Sequence, residues 1–443
     1  MTFRLAQFSD IHFSTKFTDE KYVHRDVRKM AVNDLHEVRG KLGGKIDGAL
    51  VAGDLAYSGI RSEYIEAADW LEQVTDACGC PKMAVFPVPG NHDTDRKRLS
   101  ASTKMLHKHL RGSALPVAMH DLVDLAQSDD GALVDKMADY QAFAASYGCN
   151  FTSPARPFWM RPVALADNRI LNLVGLTTVQ VCDADDDKNG MLLGRNQYIL
   201  DEEPGVEHIV MMHHPFEWLK DRRDSEQYLS ARARVLIFGH EHVQEIHKIT
   251  SATNGDRLII SSGALTPENA AEPYIYRYNV LEFSIVEHSE CPRLVVTVYP
   301  RVWVPEATRF KADSGRLNSS SAECARFELE CPQFKRKPLV QVPAQAGTRD
   351  PLPGDALVDK ETEEFSRLTY FFWRYLKWQD RLKLLVQADT LPRTPDAPLP
   401  QTVERLALQR ARDEGKLEML WHLIMELVPQ EKRESNPFTR PTP

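Results

Sequence analysis

Five apolar runs in this chain are each followed within a few residues by side chains that bind metal ions or transfer protons. The runs at 3–6, 48–52, 83–88, 209–212 and 235–238 lead into turns that contain Asp, Asn or His. Short apolar runs bounded by turn residues are typical of buried β-strands. In open α/β sheets, ligands bind beyond the carboxyl ends of the strands, so these turns are expected to meet in one crevice. The pattern predicts an α/β fold with one site assembled from distant parts of the sequence.

Seven residues in these turns offer oxygen or imidazole ligands, and none of them is a thiolate. They are Asp10, His12, Asp54, Asn91, His213, His240 and His242. Oxygen and imidazole together suit manganese, iron or zinc and argue against a structural cysteine-rich zinc site. Seven ligands are too many for one such ion, and they suit two ions that share one carboxylate. The sequence therefore predicts two divalent metal ions, with Mn²⁺ preferred and iron or zinc as alternatives.

The same turns resemble the motifs of the calcineurin-like metallophosphoesterases. Five motifs occur in the order of that family without a substitution: Asp-x-His at 10–12, Gly-Asp at 53–54, Gly-Asn-His-Asp at 90–93, His-His-Pro at 213–215 and Gly-His-x-His at 239–242. The resemblance covers roughly residues 3–310 and implies a four-layer αββα sandwich, with helices outside two sheets. It also implies how the ligands divide between the metals. Asp10, His12, Asp54 and His242 would surround one ion, and Asp54, Asn91, His213 and His240 the other, with Asp54 bridging.

The resemblance further places His92, which is not a ligand, beside the scissile phosphate. Two cations neutralise the anionic oxygens of a phosphodiester and lower the pKa of a bridging water, so that a metal-bridged hydroxide attacks phosphorus. The leaving alkoxide needs a proton, and His92 fits the role of general acid. Asp93 has two interpretations, as the carboxylate that orients the His92 ring or as the cap of a turn or helix. His214 is expected beside the ligands rather than among them, and Glu241 should point away from the metals.

The segments between the motifs predict the rest of the catalytic domain, assigned to residues 1–335. Helices at about 20–40 and 61–77 alternate with the first strands, and this βαβαβ order implies parallel neighbours. Residues 96–160 are assigned to a helical cap insertion. Its basic residues form either a solvated helix face or a contact for substrate phosphate: Arg96, Lys97, Arg98, Lys104, Lys108 and Arg111. The acidic run 183–187 is interpreted as a solvated loop.

The remaining strands of the catalytic domain are expected to complete a second sheet packed on the first. They are predicted near 257–260, 274–278, 280–286 and 294–298, where short runs rich in Val, Ile, Leu and Tyr recur.

The composition changes after the catalytic domain. Residues 336–359 are rich in Pro, Ala and Gly without periodicity and are interpreted as a linker. Residues 360–435 contain four helical segments dense in Leu and aromatic residues, which predict a separate small all-α bundle that serves as an interaction domain. The runs at 380–385, 410–412 and 420–421 resemble the death-like effector-associated domains of bacterial conflict systems, which implies a protein partner. The alternative is a helical extension packed on the enzyme's own surface.

Charge and cysteine content bear on the partners and the cellular compartment of the protein. The net charge of −8 and the lack of a long basic run give no electrostatic footprint for nucleic acid, although a local basic groove would be hidden in the sum. The seven cysteines are scattered and no secretory leader is recognisable, which predicts reduced thiols and a cytoplasmic protein. No apolar stretch is long enough to span a bilayer, so no membrane partner is expected.

Three functions are compatible with these features. The runs at 5–12 and 50–55 resemble class III cyclic-nucleotide phosphodiesterases, which favours a metal-dependent phosphodiesterase acting on a nucleotide-type substrate. The second candidate is a DNA or RNA nuclease of the same family. The third is a nucleotide-binding sensor or adaptor with little turnover, and the intact ligands and His92 argue against it. The motifs indicate the type of reaction but not the substrate, and the fold does not identify the substrate either.

Overall fold

The computed structural model describes most of the catalytic part of the chain and four C-terminal helices. The described residues are 2–15, 20–128, 131–151, 153–166, 168–251, 255–267, 275–288, 291–317, 323–335, 360–392, 397, 399 and 401–438. The predicted linker at 336–359 lies outside them. Among the described residues, no helix combines the length and the apolar character needed to cross a membrane. All seven cysteines lie within the described residues and are free.

Strands and helices both occur in the first 335 residues, and the described residues from 360 onwards form helices and no strand. The strands are β1 Thr2–Phe8, β2 Gly48–Ala52, β3 Val85–Val88, β4 Trp159–Ala166, β5 Arg169–Gly175, β6 Val206–Met211, β7 Ala233–Phe238, β8 Gln244–Ile249, β9 Arg257–Ser262, β10 Arg277–Val286, β11 Arg293–Val304, β12 Arg309–Ala312 and β13 Ala325–Glu330. The helices are α1 Glu20–Lys41, α2 Arg61–Cys78, α3 Ala101–Gly112, α4 Leu115–Ser128, α5 Ala138–Ser146, α6 Arg195–Tyr198, α7 Arg222–Arg232, α8 Pro332–Lys335, α9 Lys360–Tyr375, α10 Trp378–Gln387, α11 Gln401–Asp413 and α12 Leu417–Leu427.

Two mixed sheets form the centre of the catalytic part. The first runs β12-β11-β10-β1-β2-β3, with β13 also paired to β11, and the second runs β4-β5-β6-β7-β9-β8. Strands β1, β2 and β3 are parallel, as the βαβαβ order predicts, and so are β5, β6, β7 and β9. The strands that precede the five motif turns are therefore parallel strands, internal except for β3 at the end of the first sheet, and their carboxyl ends lie at one edge of each sheet.

One prediction about the second sheet is wrong. Of the four predicted late strands, only the one at β9 belongs to it, whereas β10 and β11 extend the first sheet, with β10 antiparallel to β1. The two strands expected near 274–278 and 280–286 are a single strand, β10, and residue 274 itself lies outside the described residues. The alternation of apolar and polar residues in a strand shows which side chains face the core. Which neighbouring strand it pairs with depends on tertiary packing, which the local sequence pattern does not encode.

Helices cover the outer faces of both sheets and complete the four-layer αββα sandwich. Helices α1 and α2 pack together over the first sheet, where Trp70 of α2 donates a hydrogen bond to the carbonyl of Arg28 on α1. Helix α7 packs against β6 and β7 of the second sheet. Phe8 lies between the rings of Trp70 and Tyr278, 5.2 and 5.3 Å away, so the apolar core continues from the helix layer into the sheet.

The segment between β3 and β4 forms helices α3, α4 and α5, in agreement with the predicted helical content. Helices α3 and α4 share a small apolar cluster with Val181 and Leu192 of the loop that follows β5. Arg111 of α3 reaches Asp183 at 2.6 Å and Asp186 at 3.1 Å. The acidic run is therefore only in part a solvated loop: Asp183 is buried, Asp186 is half-buried, and both pair with this guanidinium, whereas Asp185 and Asp187 are exposed. Arg111 is accordingly engaged inside the protein, whereas Lys104 and Lys108 are exposed.

The four C-terminal helices form a bundle that packs on the catalytic part. Trp421 of α12 meets Phe371 of α9 edge to face at 5.3 Å inside the bundle. On its outer side, α9 lies along α5, and Tyr370 and Tyr375 donate hydrogen bonds to Glu72 of α2. These contacts match the alternative of a helical extension packed on the enzyme's surface. The domain boundaries and the independent folding of the bundle stay predictions.

Candidate metal centre

Most of the predicted ligands sit on turns with an unusual backbone. Five of the seven have left-handed conformations, with φ of 53° at Asp10, 48° at His12, 52° at Asp54, 71° at His240 and 54° at His242. Such conformations are uncommon for residues other than glycine and persist only where the surrounding structure enforces them. They bend the chain sharply as it leaves β1, β2 and β7 and turn the ligand side chains into the crevice between the two sheets.

Two motif glycines are explained by the space that the ligands occupy. A Cβ atom at Gly53 would lie 2.3 Å from Nδ1 of His213, and one at Gly90 would lie 2.2 Å from Oδ1 of Asp54. Gly53 also has a φ of 90°, which side chains disfavour. The turns can approach each other this closely only because both positions lack a side chain.

The first set of ligands gathers around Asp10. Oδ1 of Asp10 lies 3.3 Å from Nε2 of His242, and Nε2 of His12 lies 3.5 Å from Oδ2 of Asp54. Nδ1 of His12 is 3.3 Å from the carbonyl oxygen of Thr266, which can only accept a hydrogen bond. Nδ1 of His12 therefore carries the proton, and Nε2 keeps a lone pair for a cation.

The second set gathers around His213. Its Nε2 lies 3.1 Å from Oδ1 of Asn91, 3.2 Å from Nδ1 of His240 and 3.3 Å from Oδ2 of Asp54. Its Nδ1 donates to the carbonyl oxygen of Ala52 at 2.8 Å. All seven predicted ligands are thus brought together by the fold. Asp54 is buried between the two sets, in the position where the family resemblance places a bridging carboxylate.

The electrostatics of these residues fit divalent cations. Burial raises the pKa of Asp54, but His213 and His12 bring it well below its ordinary value. Burial lowers the pKa of His213, but Asp54 raises it on balance to about 9. Burial and the neighbouring His213 lower the pKa of His240 to about 4. His240 therefore has a lone pair to offer, and His213 would give up its proton when a cation binds beside Asp54. Two buried carboxylates with such imidazoles form a donor set that suits Mn²⁺, Fe²⁺ or Zn²⁺.

His92 is held at the edge of the centre by its own main chain and by Tyr57. Its backbone N–H donates to Oδ1 of Asp54 at 2.8 Å, and its Nδ1 lies 2.9 Å from the carbonyl oxygen of Tyr57. A carbonyl only accepts, so Nδ1 is the donor and Nε2 is the nitrogen left for chemistry. The ring stands edge-on to His12, with centroids 4.9 Å apart.

Asp93 does not act on His92 as one interpretation expected. Its carboxylate accepts hydrogen bonds from four donors: the N–H groups of Leu55, Ala56 and Gly90 and the hydroxyl of Tyr64. The group that orients the His92 ring is the Tyr57 carbonyl. These contacts correct the proposed pairing and favour the interpretation of Asp93 as a residue that fixes a turn. Sequence reasoning missed Tyr57 and Tyr64, since a main-chain acceptor leaves no sequence signal and Tyr64 fits an ordinary core position of α2.

Two further motif residues, His214 and Glu241, adjoin the centre. His214 is buried, and one of its ring nitrogens lies within 4.8 Å of ligand atoms of His213 and His240, so its place outside the ligand set stays a prediction. Its Nδ1 is 2.7 Å from the hydroxyl of Thr178, and burial together with His240 holds its pKa well below the ordinary value. Glu241 points outwards, accepts a hydrogen bond from the indole of Trp218 at 2.6 Å and pairs with Lys188. Trp218 was not predicted, and its ring lies 4.1 Å from that of His240.

Comparisons with protein families give two matches. Residues 3–244 match the model of the calcineurin-like phosphoesterases, and residues 364–426 match that of the GTPase-associated adaptor domain. The second match covers the segment in which the sequence resembles death-like effector-associated domains, and it assigns that segment to an adaptor domain. No curated protein matches the chain.

The solved structures that resemble this chain are distant in sequence. A single mutant of Vps29 from Entamoeba histolytica is 13% identical, with 73% of this chain and 98% of that chain covered and a TM-score of 0.30. A purple acid phosphatase from yellow lupin is also 13% identical, with 67% and 51% covered and a TM-score of 0.39. The NAD nucleotidase of Haemophilus influenzae is 11% identical, with 71% and 54% covered and a TM-score of 0.32.

Proposed function

The chain belongs to the calcineurin-like phosphoesterase family, whose members bind divalent metal ions, and we propose that it hydrolyses phosphodiester bonds of nucleotide-type substrates at a centre of two such ions. The observation that carries this proposal is the position of Asp54. Its Oδ2 lies 3.5 Å from Nε2 of His12 on one side and 3.3 Å from Nε2 of His213 on the other. One carboxylate between two imidazole-rich sets is the arrangement that two neighbouring cations require.

Asp10, His12 and His242 would hold one ion with Asp54, and Asn91, His213 and His240 would hold the other. Ions bound there supply positive charge for the phosphate oxygens and the acidity that makes water a nucleophile near neutral pH. The protein's contribution is to fix the ligands before substrate arrives. The hydrogen bonds from Nδ1 of His12 to Thr266 and from Nδ1 of His213 to Ala52 set the ring orientations.

His92 is proposed as the general acid for the leaving group. Its Nδ1 is committed to the Tyr57 carbonyl, so a proton on Nε2 is the one that it can deliver. The backbone N–H of His92 donates to Asp54, which couples the position of the acid to the ligand between the two sets. A proton donor beside the metals removes the need to expel a free alkoxide, which is the difficult half of diester hydrolysis.

A diester rather than a monoester is proposed because the first two motif runs, 5–12 and 50–55, resemble those of cyclic-nucleotide phosphodiesterases. A nuclease of the same family and a nucleotide-binding sensor are the competing functions. The adaptor domain at 364–426 supports the additional proposal that a protein partner binds the C-terminal helices. The location of the protein in a cytoplasm and the preference for Mn²⁺ are proposals of the same kind.

The test uses the full chain, loaded with Mn²⁺ after chelation. Its substrates are bis(p-nitrophenyl) phosphate, p-nitrophenyl phosphate, a panel of cyclic nucleotides, and single- and double-stranded DNA and RNA. We expect turnover of the nitrophenyl diester and of a cyclic nucleotide, lost in Asp54→Asn and retained in Asp124→Asn, a change at an exposed aspartate of α4. A tenfold preference for the monoester would contradict the diester proposal. Cleavage confined to nucleic acid would identify a nuclease, and tight nucleotide binding without turnover would identify a sensor.

A further inference from the structure

Asp93 ties together the two turns that carry Asp54 and Asn91. Its carboxylate accepts hydrogen bonds from three main-chain N–H groups: Leu55 at 3.2 Å, Ala56 at 2.9 Å and Gly90 at 3.0 Å. The first two belong to the turn of Asp54, and the third belongs to the turn of Asn91. A buried carboxylate shared by two turns fixes their separation, and with it the distance between ligands on different strands.

Tyr64 connects this carboxylate to a helix. Its hydroxyl lies 3.0 Å from Oδ1 of Asp93 and 3.2 Å from the carbonyl oxygen of the same residue. Tyr64 belongs to the first turn of α2 and is only 4% exposed, so its hydroxyl cannot turn to water instead. The position of α2 therefore sets the position of Asp93 and of both turns bound to it.

The same helix meets the C-terminal helices two turns further on. Glu72 follows Tyr64 by eight residues, or about 12 Å along the helix axis. Its carboxylate accepts hydrogen bonds from Tyr370 at 2.9 Å, Tyr375 at 2.6 Å and Lys432 at 2.6 Å. Asp69 on the same helix accepts a hydrogen bond from Arg374 at 2.6 Å. Three side chains of the C-terminal region, two from α9 and one from the turn after α12, thus converge on one buried carboxylate of α2.

A row of aromatic rings makes a second connection through α5. The ring of Tyr64 stacks on Phe143 at 5.1 Å, Phe143 meets Tyr147 at 5.1 Å, and Tyr147 meets Tyr370 of α9 at 5.9 Å. All four rings are buried. Close-packed interiors transmit displacement, because a buried ring cannot move without displacing its neighbour.

We propose that Tyr64 is a positioning residue for the metal centre and that the C-terminal helices control it through α2, so that the adaptor region tunes hydrolysis as well as binding a partner. The inference deepens the proposed function and rests on it for the catalytic readout. A partner that loosened the contacts at Glu72 would release α2, then Asp93, and then the turns of Asp54 and Asn91. Spatial connection alone does not establish coupling, so the test measures coupling directly.

The first arm of the test removes one hydroxyl. Tyr64→Phe keeps the stack on Phe143 and removes the hydrogen bonds to Asp93. For residues that orient metal ligands, the expected loss starts at about tenfold, so we expect kcat and Mn²⁺ affinity each to fall about tenfold, with KM changed less than twofold. Tyr228→Phe, at a half-exposed tyrosine of α7, is the matched control and should change neither. Unchanged kcat and Mn²⁺ affinity in Tyr64→Phe would overturn the positioning role.

The second arm perturbs the docking contact. Glu72→Gln should lower kcat about threefold and speed amide hydrogen exchange at residues 53–56 and 90–94. Glu66→Gln, at a half-exposed glutamate of the same helix that pairs with Lys21, should do neither. In the double variant Tyr64→Phe/Glu72→Gln, the fold-loss of kcat should be smaller than the product of the two single fold-losses, because both changes act through α2. If Glu72→Gln unfolds, Tyr375→Phe is used in its place.

The outcomes separate the two proposals. If the wild-type protein hydrolyses no diester, the proposed function fails, and Mn²⁺ affinity and hydrogen exchange still decide the coupling. If Glu72→Gln leaves exchange at 90–94 and Mn²⁺ affinity at wild-type values, the C-terminal helices do not reach the centre and the inference is wrong. The inference is also wrong if the loss of kcat in the double variant equals the product of the two single losses.

Discussion

His92→Ala should slow hydrolysis of a diester with a poor leaving group by a factor of about 10² to 10⁴, the usual contribution of a general acid. That factor corresponds to about 3–5 kcal/mol of transition-state stabilisation. The expectation follows from the geometry, since Nδ1 of His92 is bound to the Tyr57 carbonyl at 2.9 Å and a ring nitrogen lies within 4.8 Å of the ligand atoms of His12 and Asp54.

The same geometry predicts that the variant stays folded. The hydrogen bond between the half-buried ring and the Tyr57 carbonyl is of a kind that typically contributes about 0.5–1.5 kcal/mol to stability. The loss of rate should therefore exceed the loss of stability by a clear margin. Thermal denaturation and the Mn²⁺ content of the variant, compared with wild type, separate the two effects.

The assay compares two leaving groups on the same protein. A cyclic nucleotide or alkyl diester expels an alkoxide that needs a proton, whereas bis(p-nitrophenyl) phosphate expels a nitrophenolate that does not. His92→Ala should lose much more kcat on the first than on the second. His120→Ala, at an exposed histidine of α4, is the control and should match wild type on both. Equal losses on the two substrates would refute the role of His92 as acid.

Three further changes test the centre and the docking contact. Asp54→Ala should be the most damaging ligand substitution and should reduce bound Mn²⁺, measured by metal analysis, because one carboxylate faces both ligand sets. Chelation should lower the Tm and added Mn²⁺ should restore it, since ions that bind only the folded state stabilise it by mass action. For Glu72, burial raises the pKa, but the hydrogen bonds from Lys432 and Tyr375 lower it on balance. A carboxyl with a lowered folded-state pKa stabilises the fold above its ordinary pKa of 4.5, so the Tm difference between wild type and Glu72→Gln should shrink as the pH falls below that value.

The convergence of the seven proposed ligands could be predicted because strand ends and side-chain chemistry are both visible in a sequence. Apolar runs mark the strands, and the parallel order brings their carboxyl ends to one edge. The left-handed backbone at Asp10, His12 and Asp54 could not be predicted in the same way, because these residue types usually adopt negative φ. The conformation there is imposed by contacts between turns that are far apart in the sequence.

The role of Asp93 shows a second limit. An Asp directly after a histidine is compatible with ring orientation and with turn capping, and the sequence carries no sign of which N–H groups lack a partner. In the structure, those groups belong to Leu55 and Ala56, almost forty residues earlier, and they take the carboxylate. Buried main-chain donors must be satisfied, and here that requirement outweighs the nearer imidazole.

The docking of the C-terminal helices did leave a signal in the sequence of α2, although it is visible only with the structure at hand. A helix that covers one sheet is expected to bury one face and to expose the other. Helix α2 instead has buried residues around most of its circumference, and two of them are acidic: Glu63 and Glu72. A buried acidic side chain on a helix face needs a partner, and for Glu72 the nearest sheet offers none of the donors that it uses. The donors come instead from tyrosines on the aromatic face of α9 and from Lys432. Glu72 of α2 and the tyrosines of α9 therefore specify one interface between the two segments. If the bundle were not docked on α2, the carboxylate of Glu72 would lack these three donors. For this physical reason, we treat the C-terminal helices as part of the structure that supports the metal centre.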